Sequence, residues 1–112
     1  MLDINVEDQY LGLIKQEKKK IEGRLAKPKF LNLKPGEFLR INNRLIVTVR
    51  RVDHYPLFRD MLYHEGLKNV LPDCASLDEG ENIYYRFYSK EDEKKFGVVA
   101  IQLKLENNFP DL

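Results

Sequence analysis

The residues best suited to chemistry lie close together in Lys18-Lys19-Lys20-Ile21-Glu22-Gly23-Arg24. Lys20, Glu22 and Arg24 are spaced by two, so on an extended strand they project from one face and set a carboxylate between two cations. Lys19 has a like charge on each side, which disfavours its ammonium form. A desolvated lysine in that setting can lose its proton near neutral pH and act as base or nucleophile. The same spacing also describes an exposed ladder of ion pairs on a solvated strand, in which each pair contributes little. Spacing alone leaves both readings open.

The elements that must position these residues can be read from periodicity. Leu2 to Val6 alternates like a short strand, and Val6, Tyr10, Leu13 and Ile14 then form one stripe of a helix reaching Lys18. Ile21 to Leu25 reads as a strand with Glu22 and Arg24 on one face and Ile21, Gly23 and Leu25 on the other. Lys34-Pro35-Gly36 has the chemistry of a type II turn. Phe38 to Ile41 and Arg44 to Val52 flank Asn42-Asn43, a pair that tolerates a tight hairpin, with Leu45, Val47 and Val49 facing the core and Ile46, Thr48 and Arg50 facing away.

Pro56 opens a helix whose stripe is Leu57, Phe58, Met61 and Leu62 and which Gly66 ends, with one more turn at Leu67 to Leu71. Ser76 and Glu79 make a capping box for a helix carrying Ile83, Tyr84, Phe87 and Tyr88, although Gly80 weakens its first turn by about 1 kcal/mol. Gly97 to Leu105 is a closing strand, and residues 107–112 read as a loose tail. Hairpin chemistry in the middle, without strand–helix alternation, argues for an α+β sheet curled into a barrel with helices outside, and the mouth of such a sheet is a usual place for a ligand.

At 112 residues, 33% charged and 43% hydrophobic, the chain suits one compact domain with a single core. The net charge of +1 hides an uneven distribution. Residues 15–51 carry twelve Lys/Arg against three Glu, while residues 1–14 have a net charge of −3 and residues 52–112 a net charge of −5. A positive middle suits a phosphate-bearing ligand or a nucleic acid strand, and equally a solubilising face. Apolar runs of a few residues fall far short of the roughly 20 a membrane helix needs, and Met1-Leu2-Asp3-Ile4-Asn5 lacks the pattern of a secretory signal. An intracellular, cytoplasmic protein without membrane contact is therefore expected. The lone Cys74, with only His54 and His64 beside it, offers no zinc-ligand spacing, so neither metal nor cofactor is expected.

Lys19-x-x-Glu22-x-Arg24, followed by Leu33-Lys34-Pro35-Gly36-Glu37 leading into a strand, resembles the signature of ASCH domains in the PUA-like superfamily. Phe58 to Leu67 resembles the helix of that family, and Tyr84-Tyr85-Arg86-Phe87-Tyr88 with Phe96 to Ile101 resembles its closing helix and strand. The likeness runs from Tyr10 to Leu105. It implies a small mixed or antiparallel PUA-like β-barrel with peripheral helices, a single ASCH domain over residues 1–112, and a superfamily whose members bind RNA or modified nucleosides. On this reading a monomer holds RNA, a nucleotide or a modified nucleoside in a basic cleft, with Lys19, Lys20, Arg24 and Arg50 on the ligand and an aromatic such as Tyr84 or Tyr88 stacked against a base, although their i, i+4 spacing equally suits packing in the core. Some ASCH proteins are similar to acetylcytidine amidohydrolases, whose catalytic lysine matches Lys19 and whose glutamate matches Glu65. Their threonine position holds Glu22, a carboxylate that cannot act as a neutral hydroxyl nucleophile. An amidohydrolase or ribonuclease using Lys19, Glu22 and Glu65 is thus the second expectation.

Overall fold

The computed structural model describes residues 1–106 and contains, among them, five strands and six helices. The expected tail at 107–112 lies outside the described residues. The strands β1 (Leu2–Ile4), β2 (Ile21–Leu25), β3 (Phe38–Ile41), β4 (Leu45–Tyr55) and β5 (Val98–Leu105) form one sheet in the order β1-β3-β4-β5-β2. Only the β1–β3 pairing is parallel. The sheet is open and curled, a half-barrel of the α+β class expected, and β1 and β2 are its edges. The helices are α1 (Asp8–Lys15), α2 (Pro28–Leu31), α3 (Phe58–Glu65), α4 (Leu67–Val70), α5 (Leu77–Tyr85) and α6 (Lys90–Phe96).

Alternation along β5 splits the core across the two faces of the sheet. Val99, Ile101 and Leu103 pack with Leu39, Val47, Val49 and the α1 residues Leu11 and Ile14. Val98 and Ala100 pack on the other side with Phe58, Met61 and Leu62 of α3. The β3–β4 hairpin turns on Asn42 and Asn43, at φ of 53° and 60°, as the pair's tolerance of left-handed backbone predicts. Gly36, at φ 92°, supplies the positive φ that the Lys34-Pro35-Gly36 turn requires. Gly80 sits where α5 crosses α3 and α4. A Cβ there would come within 3.0 Å of Leu62 and 3.1 Å of Leu67, so close packing accounts for a glycine inside a helix.

Several local expectations change, among them a short helix, α2, where none was expected, and an end to α5 at Tyr85, before Phe87 and Tyr88. Helix α1 stops at Lys15 instead of Lys18, because Glu17 takes a left-handed φ of 59° and the following amides of Lys18 and Lys19 both return to the Leu13 carbonyl. Strand β1 stops at Ile4 because the backbone of Val6 is occupied by Asn42, whose side-chain oxygen accepts from Val6 N at 2.7 Å and whose amide donates to Val6 O at 2.9 Å. Strand β4 runs on to Tyr55, through a bulge at Arg50 that shifts its register against β5. Helix α6, unforeseen, carries no apolar stripe; its Ser89 cap accepts from Asp92 N at 3.0 Å.

Asn42 therefore serves the turn through its backbone and the N-terminal segment through its side chain, and the two roles separate by mutation. Asn42→Gly keeps the left-handed backbone and removes both hydrogen bonds to Val6. Urea denaturation should show a loss of about 1–3 kcal/mol, the net value of two such bonds.

Candidate functional site

Strand β2 begins six residues after α1 ends, and this short passage buries Lys19. Lys19 is 3% exposed and Glu22 is 7% exposed. An ammonium has three hydrogens to place, and each meets an acceptor. Nζ donates to Ile21 O at 2.7 Å and to Val70 O at 2.6 Å, and lies 3.3 Å from Glu22 Oε1. Val70 is the last residue of α4, and the final carbonyls of a helix lack intrahelical partners. The neighbouring Asn69 carbonyl accepts from Lys20 N at 2.8 Å, so two consecutive residues after α1 fasten α4 to the sheet edge. Burial pushes the Lys19 pKa below its ordinary value, while Glu22 beside it favours the charge.

Glu22 and Arg24 share a face of β2, as alternation predicts. Arg24 Nε donates to Glu22 Oε2 at 2.8 Å and its terminal nitrogen to Asn5 O at 2.7 Å. Burial works against the charge on Arg24, but Glu22 outweighs it and holds the guanidinium above its ordinary pKa. The three charged groups thus form one array in the order ammonium, carboxylate, guanidinium.

This array lines a cavity of about 370 Å³. The cavity is also lined by Asn5, Val6 and Glu7, between β1 and α1, by Tyr10, and by Ile83 and Tyr84 of α5 with Phe87 and Tyr88 after it. Gly23 completes the floor, where a Cβ would come within 2.7 Å of both Met61 and the Tyr84 hydroxyl. Tyr84 is buried and stacks on Phe58 at 4.4 Å, so it belongs to the core as well as to the lining. Phe87 differs: it lines the cavity yet remains 56% exposed.

The lining sets Lys19 and Arg24 against Glu7 and Glu22, so it is balanced in charge and not basic. The expected ligand residues divide accordingly. Lys19, Glu22, Arg24 and Tyr84 come together, whereas Lys20 and Arg50 are exposed and absent from the lining, Arg50 on the β4 bulge. Glu65 is also absent from the lining. Its carboxylate accepts from both terminal nitrogens of Arg51, at 2.8 and 3.1 Å, and from the Tyr55 hydroxyl. Burial alone would raise the Glu65 pKa, but those hydrogen bonds prevail and hold it below the ordinary 4.5. Cys74 is buried, which pushes its thiol pKa up, and His64 stacks against Tyr55 at 5.8 Å. No group of metal-binding side chains occurs among the described residues.

Asn5, Tyr10 and Phe87 were not anticipated in the site. Phe87 could have been, because Ile83, Tyr84, Phe87 and Tyr88 cover a wider arc than a short helix can bury.

A curled mixed sheet with a pocket at one edge defines a small PUA-like protein. The model of the ASCH domain matches residues 4–107, and the chain belongs to that family. It is similar to hypothetical protein PH0355, whose crystal structure shares 42% identity and a TM-score of 0.91 over 94% of this chain and 98% of that one. It is also similar to protein PF0455 from Pyrococcus furiosus, known from a solution NMR structure, at 44% identity and a TM-score of 0.81 over 95% and 97% of the two chains. No curated protein matches the sequence. No helix among the described residues is long and apolar enough to cross a membrane.

Two predictions separate the array from the Glu65 cluster. Lys19→Met leaves Glu22 short of a buried partner and Val70 O without a donor, and should cost about 3–5 kcal/mol in denaturant unfolding. Glu65 has a folded pKa below its unfolded one, so its stabilisation is present above pH 4.5 and is lost as pH falls through the folded value. Glu65→Gln should lower stability at neutral pH and flatten that acid loss in a pH series of urea midpoints.

Proposed function

We propose that the cavity binds a nucleobase, as a nucleotide or as one unit of a single-stranded RNA. The observation that carries this reading is that the Glu22–Arg24 pair and an exposed aromatic ring, Phe87, line one pocket sized for a small ligand. Small-ligand pockets run from roughly 300 to 1,000 Å³, and this one lies at the lower end, suited to a base and too small for a duplex. A flat heterocycle with donors and acceptors on its edges suits a lining that is neutral overall. The carboxylate of Glu22 accepts from an amino or imino group, Arg24 donates to a carbonyl or ring nitrogen, and Phe87 offers a face for stacking. A phosphate has no such match inside a pocket holding two carboxylates, so it stays outside.

Binding is favoured over hydrolysis by the hydrogen bonds of Lys19 and Glu65. All three Lys19 hydrogens already have acceptors, so the ammonium form is the one the geometry accommodates. A neutral amine would point its lone pair at an acceptor. Lys19 is accordingly a positioning residue for Glu22. Glu65, the proton shuttle of the hydrolytic reading, is held by Arg51 and Tyr55 away from the cavity lining.

Isothermal titration with each of the four ribonucleoside 5′-monophosphates tests the proposal. At least one should bind, with Phe87→Ala weakening it by roughly 1–3 kcal/mol, the worth of one base–aromatic stack. Arg24→Met should abolish binding and Glu65→Gln should leave it unchanged. Absence of binding by all four, or binding indifferent to Phe87→Ala and Arg24→Met, would refute it.

A further inference from the structure

The cationic surplus of residues 15–51 lies outside the cavity, and part of it is organised. From Gly23 to Gly36 the sequence holds Arg24, Lys27, Lys29 and Lys34 without one acid. Arg24 and Lys29 lie over the same ring, Phe30, with Arg24 Cζ 5.6 Å and Lys29 Nζ 4.9 Å from its centre. Lys27 shares the next ring, Phe96, with Lys95 of α6, at 5.4 and 5.1 Å. The amide of Ala26 donates to Gly97 O at 2.9 Å, which holds the end of β2 against the end of α6 and keeps the two lysines together. Lys27, Lys29 and Lys95 are exposed, and none pairs with a carboxylate among the described residues.

A hollow that adjoins the cavity is different. It is shallow, shares Tyr10 and Ile83 with the cavity and carries Asp73 and Glu79. Its one arginine, Arg86, is tied to Glu7 at 3.2 Å. Carboxylates in that hollow disfavour a phosphate there.

We infer that Lys29, Lys27 and Lys95 form a track, starting at Arg24 on the cavity lining, that carries the phosphodiester backbone of a single-stranded nucleic acid. The inference rests on reading the cavity as a base site, and it gives the strand one direction of exit. Lysines held over aromatic rings keep their stems packed while their charged ends stay in water, ready to replace condensed counterions.

The test uses a fluorescein-labelled pool of short, random single-stranded RNA, with affinity measured across a salt series. In wild type, log K should fall steeply with log salt. In the variant Lys27→Ala/Lys29→Ala/Lys95→Ala the slope should become shallower by about 2, since each contact to a single strand contributes about 0.7. A control, Lys18→Ala/Lys20→Ala/Arg50→Ala, removes equal charge from exposed sites elsewhere and should leave the slope near wild type. Affinity for the uncharged nucleosides should be unchanged in both. An unchanged slope in the track variant, an equal loss in the control, or no RNA binding by wild type overturns the track. If mononucleotides fail to bind while the slope difference persists, the base site falls and the track stands.

Discussion

A lysine ammonium enclosed between the end of one helix and the start of an edge strand is the constraint on which the rest of the molecule depends. Removing an ammonium from water costs several kcal/mol unless its hydrogens find acceptors. Here the acceptors come from three places: the backbone of β2, the unpaired end of α4 and the carboxylate of Glu22. Meeting that demand docks α4 on the sheet edge and fixes the carboxylate. The carboxylate then orients Arg24, and Arg24 in turn holds the Asn5 carbonyl. One buried charge thereby sets the positions of strand, helix and N-terminal segment around a single cavity.

The hairpin tip closes the same circuit from the other side of the sheet. Asn42 grips Val6, which lines the cavity next to Asn5, so turn geometry at the β3–β4 hairpin reaches the site through two hydrogen bonds. A second buried carboxylate works separately. Glu93 of α6 accepts from Phe58 N at the start of α3 and from the Tyr85 hydroxyl, both at 2.7 Å, and so binds three helices at one point. It supplies the cap that Leu57, at the N-cap position, cannot. All three carboxylates are buried and partnered, and what distinguishes Glu22, with Arg24, is that it lines the cavity while Glu93 and Glu65 do not.

Local patterns in the sequence were sufficient where local physics decides. Period-two alternation placed Glu22 and Arg24 on one face of β2, Asn42-Asn43 marked the hairpin, and Ser76 capped α5 by accepting from Glu79 N at 3.1 Å. The pairing of Lys19 with Val70 O spans fifty-one residues and had no local signature. Nor did the grouping of Glu65 with Arg51 and Tyr55, which depends on a bulge that alternation cannot foretell. The polar helix α6 escaped notice because its buried contacts are one glutamate and one phenylalanine, too few for a stripe, though Ser89 three residues before Asp92 was a usable signal. The basic middle segment was visible in composition. Its division between a neutral cavity and an external track was not, because only the fold decides which lysines face which ring.

A crystal structure of the protein grown with a saturating mixture of the four ribonucleoside monophosphates tests the central claim most directly. The account predicts a base in the cavity, stacked on Phe87 and hydrogen-bonded at its edge to Glu22 and Arg24, with its phosphate outside toward Phe30. A nucleotide bound elsewhere while the cavity holds only water, or a phosphate seated between Glu22 and Glu7, would contradict it.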